Sequence, residues 1–243
     1  MQDRLTQVTD WFQSPLGQSL QSRETERLRQ VANRLHGPVG LQVGRVCGVN
    51  MLQVTPAVTT VIASPSKSNG VDAVHVRSSE HALPFDMGSI NIAVLPHTLD
   101  FAAQPHQILR EVHRVLAADG YIVIFGFNPF SLWGVWRLAL KRKGQVPWCG
   151  WFYRLSRVQD WLALLDFETV SGSMIYYRPP LQTERLRRRL HFLELAGDRW
   201  WPITAAVYVL VARKREYGVP LITQRWKKKR RLAPGLANPV TKM

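Results

Sequence analysis

A chain of 243 residues, 46% of them hydrophobic, is long enough to bury one large core. Its two cysteines, Cys47 and Cys149, have no partner at metal-ligand spacing, which excludes a disulfide framework and a zinc site and fits a reducing cytoplasm. Residues 1–120 hold ten Lys/Arg and ten Asp/Glu, whereas residues 121–243 hold 22 and seven, so the whole net charge of +15 falls in the second half. Such asymmetry implies an anionic partner, either nucleic acid or an acidic membrane surface.

The opening MQDRLTQVTDWF carries acid and amide residues and no apolar run, so no secretory signal is expected. Residues 2–12 and 17–35 read as helices; the second places Leu20, Leu28, Val31 and Leu35 at helical spacing and stops at Gly37-Pro38. Strands are expected at Val39–Val43, Val58–Ala63, Val71–Val76 and Ser89–Leu95. PHQILREVHRVL, residues 105–116, is an amphipathic helix, ended by a turn at Ala118-Asp119-Gly120. Tyr121–Phe127 is an uncharged fifth strand. The uncharged run continues to Trp136, but it is too short to span a bilayer and Asn128-Pro129 interrupts it. A helix at Arg157–Leu165 has Ser156 placed as its N-cap; a strand at Phe167–Gly172, a basic helix at Thr183–Ala196 and a strand at Ala205–Ala212 follow. Apolar strands alternating with helices, without hairpin signals, define an α/β fold with a doubly wound, mostly parallel sheet.

Three segments, in order, carry a family resemblance: LQVGRVCG (41–48), HALPFDMGSINIAVLPHTLDF (81–101) and PHQILREVHRVLAADGYIVIFGF (105–127). Together they resemble the class I S-adenosylmethionine (SAM)-dependent methyltransferases of the methyltransferase type 11 kind, and GFNPFSLWG (126–134) resembles a divergent bacterial subgroup. The resemblance implies a Rossmann-like fold and SAM as cofactor. It divides the chain into an N-terminal helical segment (1–36), a methyltransferase-like domain (37–215) and a basic tail (216–243). The domain carries an aromatic and basic insert at 128–153 and a basic helix near 183–197.

Carried onto this sequence, the cofactor-binding positions are Gln42, Gly44, Gly48, Ser79, Glu80, Pro96 and His97. Gly44 and Gly48 match the outer glycines of the first loop, and Val46 stands at the middle one. Gln42, Ile62, Ser79 and Asn91 stand where the family has acids, so its SAM motif is eroded, and Glu80 is placed to substitute for Ser79. His97 and Asp100, after the fourth strand, are the catalytic candidates: a general base and the carboxylate that orients it. His81 and His106 rank behind them, and no metal site is expected.

Trp133, Trp136 and Leu140 fall at helical spacing on one face, with Arg137, Lys141, Arg142 and Lys143 among them. Arg185, Arg187, Arg188 and Arg189 form a second basic cluster, and Lys227–Arg231 a third. The resulting reading is a cytoplasmic SAM-dependent methyltransferase-like protein with an unidentified acceptor and no transmembrane segment. Its alternative is a non-catalytic adaptor whose basic half binds RNA or an anionic membrane surface, peripheral at the membrane in the second case.

Overall fold

The computed structural model describes residues 2–44, 48–65, 74–140, 144–180 and 201–216. The expected basic helix at 183–197, the tail beyond residue 216, Val46 and Lys141–Lys143 lie outside the described residues.

Two helices open the chain, α1 (Gln2–Gln13) and α2 (Pro15–Ala32). The break between them is chemical: the Ser14 side chain caps α2 by accepting from Gly17 N at 3.2 Å, and Pro15 supplies a first position that needs no N–H. Seven strands follow among the described residues: β1 (Val39–Val43), β2 (Thr59–Ser64), β3 (Val74–Arg77), β4 (Ile90–Pro96), β5 (Leu116–Phe127), β6 (Phe167–Ile175) and β7 (Val207–Lys214). They form one sheet in the order β3-β2-β1-β4-β5-β7-β6. All pairings from β3 to β5 are parallel, whereas β7 runs antiparallel to both β5 and β6. The remaining helices among the described residues are α3 (Thr98–Phe101), α4 (Pro105–Val115), α5 (Leu132–Leu140) and α6 (Leu155–Ala163).

The period-two alternation of strand side chains divides the core. On one face Leu41, Val43, Ala93, Leu95, Ile122, Ile124 and Leu210 meet α4 and α6. On the other, Ile92, Val94, Val123, Phe125, Val209 and Val211 meet Leu28 and Val31 of α2, with Met51 and Leu52 from a 3-10 turn at Met51–Val54. Helix α4 buries Ile108, Leu109, Val112 and Val115 completely; each such side chain stabilises the fold by about 1.5–3 kcal/mol. A third cluster closes the carboxyl end of the sheet: Val8 and Phe12 of α1, Leu16 and Leu20 of α2, Phe127, Trp133, Trp148, Phe152 and Tyr176. The N-terminal helices therefore share the sheet's core.

Three local expectations change. Helix α6 begins with Arg154 as its N-cap, and Ser156 lies within its first turn. The reason is register: Leu155, Val158, Trp161 and Leu162 form the face that meets the core, which draws the start back. Ala118-Asp119-Gly120 lies inside β5, which starts at Leu116; Asp119 takes φ 59, and the pairing with β4 shifts opposite it, between Ile90 and Ile92. The last strand enters in reverse. It is anchored by buried Lys214, whose Nζ donates to His113 O at 3.0 Å and Leu116 O at 2.9 Å, the free carbonyls at the end of α4.

Candidate functional site

The carboxyl ends of β1, β2 and β4 converge, as open α/β sheets require of a site. Strand β1 is followed by Gly44, whose φ of +79 places it in the left-handed region. A Cβ there would sit 2.9 Å from Thr98 Oγ1 and 3.1 Å from Glu80 Oε1, so the position also needs glycine for space. Thr98 is held by its own bond to Val43 O at 2.6 Å. Gly48, at the far side of the loop, has φ +67.

Gln42 is fully buried and ties that loop to the element after it. Its Nε2 donates to Val49 O at 3.0 Å, and its Oε1 accepts from Met51 N at 2.9 Å. An amide performs this task because it donates and accepts at once; a carboxylate would only accept. Asn91 stands at the other end of the sheet. Its Oδ1 accepts from Val39 N at 3.1 Å, where β1 begins, so it braces the strand far from the carboxyl end of the sheet. Ile62 is buried within β2, and the strand's last residue is Ser64. Ser64 Oγ lies 2.9 Å from His75 Nε2 of β3.

Ser79 is exposed, and its Oγ accepts from His81 N at 3.3 Å. Glu80 instead turns toward Gly44, and burial pushes its carboxyl up to about 7. Pro96 ends β4 opposite Phe125 of β5. His106 stacks edge-on against Trp161 at 4.2 Å on the far helix layer, and His81 lies beside Ser79.

His97 and Asp100 are brought together, with a third partner that the sequence reading missed. His97 sits just after β4 with φ 54 and is fully buried. Its Nδ1 lies 2.9 Å from Asp100 Oδ2, and its Nε2 lies 2.7 Å from Glu24 Oε1 of α2. All three side chains are inaccessible to solvent. Asp100 Oδ2 also accepts from Phe127 N at 3.0 Å, and the Phe127 ring stacks on the imidazole at 4.1 Å between centroids. Burial alone would push the His97 ring down. The Glu24 charge, with the hydrogen bonds to Asp100 and Glu24, outweighs it and holds the ring at about 9. Burial raises Asp100 above the usual carboxylate range. A left-handed histidine persists because its surroundings over-determine it, here through two carboxylates and a ring. The signal for Glu24 was legible: it stands four residues after Leu20 and four before Leu28, an acid on the apolar face of α2.

Among the buried polar atoms without a hydrogen-bond partner in the described residues are Glu24 Oε2, Asp100 Oδ1 and the Tyr208 hydroxyl. Tyr208, on β7 opposite Gly126, has its phenol pushed well up by burial and then by the Asp100 charge.

A sheet of order 3-2-1-4-5-7-6 with a reversed seventh strand, and a left-handed glycine after its first, is the fold that the chain shares with solved SAM-dependent methyltransferases. Residues 39–124 match the family model described as "Methyltransferase domain". Among curated proteins the chain is similar to the uncharacterized protein YafS of Escherichia coli strain K12, at 39% identity over 106 residues. That match spans 44% of this chain and 44% of YafS, less than half of either. Among solved structures, a SAM-dependent methyltransferase of Thermotoga maritima superposes with a TM-score of 0.57 at 16% identity, over 80% of this chain and 90% of that one. The [4+2]-cyclase SpnF superposes with a TM-score of 0.55 at 16% identity, over 79% and 80%. At such identities the likeness is one of fold, and the fold hosts more than one chemistry.

Proposed function

We propose that this protein is a SAM-dependent methyltransferase. The observation that carries the reading is the Gly44 cradle: a left-handed glycine at the end of β1, bounded by Thr98 and the Glu80 carboxylate, where any Cβ would intrude. Its residues fit the cofactor. When bound, SAM supplies a methyl group on a positively charged sulfonium. Gly44 and Gly48 let the backbone approach the ligand. Glu80 provides the accepting carboxylate that β2, ending in Ser64, does not.

His97 and Asp100 then hold the site's floor. Both ring nitrogens face carboxylates, and the ring stays protonated to about pH 9, so His97 serves as a fixed imidazolium and not as the general base that its position suggests. It is a positioning residue, coupling α2 to the end of β4. Proximity and alignment supply most of the acceleration that methyl transfer to a good nucleophile needs.

Calorimetry with SAM and with its demethylated product tests the reading. Both should bind, and Gly44→Val should abolish binding by filling the cradle. No heat from either ligand at millimolar concentration would leave the fold without the cofactor and reject the assignment.

A further inference from the structure

Helix α5 presents its apolar side to water. Trp133 and Gly134 are buried, and the Trp133 indole N–H donates to Arg178 O at 2.9 Å, so this tryptophan belongs to the core. Leu132, Val135, Trp136 and Leu138 are 51%, 63%, 44% and 75% exposed, and Phe130, just before the helix, is 54% exposed. The Asn128 amide donates to Ile203 O at 2.7 Å and Ala205 O at 2.9 Å. It thereby brings the exposed Trp201 and Ile203 to the base of the same helix. A helix packed on a soluble domain normally shows the reverse pattern.

The charge carried by this stretch of sequence has one sign. From Tyr121 to Gln159 the sequence holds no Asp or Glu and six basic residues: Arg137, Lys141, Arg142, Lys143, Arg154 and Arg157. The Arg154 guanidinium lies 4.4 Å over the Phe130 ring. Of the four large apolar side chains that α5 exposes, three are aliphatic and the fourth is a tryptophan. Single-stranded RNA would be met by a run of aromatic faces. Branched aliphatics with a Trp, in a stretch of sequence whose charges are all basic, instead match the boundary between anionic headgroups and acyl chains. Nine residues make a helix of about 13 Å, well short of the roughly 30 Å hydrocarbon core, so it would lie along the surface. Among the described residues no helix is long and apolar enough to cross a membrane.

We propose that the Phe130–Leu138 face docks this protein on an anionic bilayer surface, with the aliphatic side chains entering the acyl boundary and the basic residues meeting lipid phosphates. The test is co-sedimentation of the full chain with vesicles of phosphatidylcholine alone and with one-third phosphatidylglycerol. Binding should appear with the anionic vesicles and fall steeply as salt is raised. Val135→Glu and Leu138→Glu should each weaken it by about tenfold or more, because each removes apolar contact and adds a like charge to the headgroups. Trp136→Phe should keep most of it. Both glutamate variants replace exposed side chains, so their circular dichroism and melting should match the parent. Vesicle binding that ignores both substitutions overturns the proposal. So does an oligoribonucleotide that binds better than the vesicles and loses affinity in the same variants. A concentration-dependent dimer dissociated by Leu138→Glu would reassign the face to a second copy.

Discussion

The strongest test of the packing bears on the buried pair of Glu24 and His97. Glu24→Ala removes one of two carboxylates from a fully buried imidazolium, and breaking such a pair costs about 3–5 kcal/mol. In a domain of this size that corresponds to a fall in Tm of roughly 6–20 °C. Glu24→Gln keeps an acceptor without the charge and should cost less, about 1.5–3 kcal/mol. The partner is best replaced by asparagine, which tolerates the left-handed backbone at position 97. In the cycle of Glu24→Leu, His97→Asn and the double variant, the coupling energy should be about 2 kcal/mol or more at pH 6, read from urea unfolding. The pH dependence has a definite sign. His97 rises from 6.5 to about 9, so the folded state holds this proton more tightly than the unfolded state. Its contribution is full below pH 6.5 and is lost as pH rises through about 9; at about 1.4 kcal/mol per unit it amounts to roughly 3 kcal/mol. The coupling should therefore shrink strongly at pH 9.5. A coupling below about 0.5 kcal/mol at pH 6, or one that persists unchanged at pH 9.5, would falsify the ion-pair account of how α2 is docked.

Ligand affinity should depend on Glu80: Glu80→Gln should weaken binding of the demethylated product about tenfold, and the wild type should bind more tightly at pH 8 than at pH 6, since its carboxyl titrates near 7. Calorimetry that finds neither effect moves the anchor elsewhere. Ser64→Asp, at the end of β2, should strengthen that binding, whereas Ile62→Asp buries a charge inside the sheet and should cost several kcal/mol of stability; the reverse ranking would place the ligand one turn of the pleat earlier. Trp133→Ala should destabilise by about 3–5 kcal/mol and Trp136→Ala by less than about 1, a contrast that thermal unfolding resolves. Lys214→Met strands the His113 and Leu116 carbonyls and should cost about 1–3 kcal/mol, and a neutral result in urea would show that water replaces the ammonium.

What the sequence disclosed follows from how local each signal is. Helix α4 was legible because Ile108, Leu109, Val112 and Val115 share a face, and β4 and β5 because strands buried on both sides are almost uniformly apolar. The reversal of β7 left no mark in AAVYVLVA, since a strand's direction depends on its neighbours and not on its composition. The site was legible in part. Gly44, Glu80, His97 and Asp100 stand together at the carboxyl end of the sheet. The pattern of missing acids was read too uniformly, because residue identity alone does not say where a side chain lies. Gln42 braces a loop, Asn91 braces the opposite end of the sheet, and Ile62 precedes the end of its strand by two residues. Glu24 could be flagged as an acid on an apolar face, but its partner lies 73 residues away. The spacing of Trp133 and Trp136 was correctly helical, yet it could not tell that only the first is buried.

The place of β7 has a bearing on how the chain is made. Among the described residues it is the last strand to be synthesised but sits inside the sheet, and β6 hydrogen-bonds there to no other strand. Until residue 207 has left the ribosome, the long apolar edge of β5 is open and β6 has nowhere to pair. A nascent or truncated chain in that state offers a ready template for strand addition by a neighbour. The stretch that matches the methyltransferase family model, ending at residue 124, is thus recognisable as a sequence well before it can be stable as an object. Expression of fragments that stop short of Lys214 should yield aggregates, and chaperone demand should peak in the interval between the synthesis of β5 and that of β7.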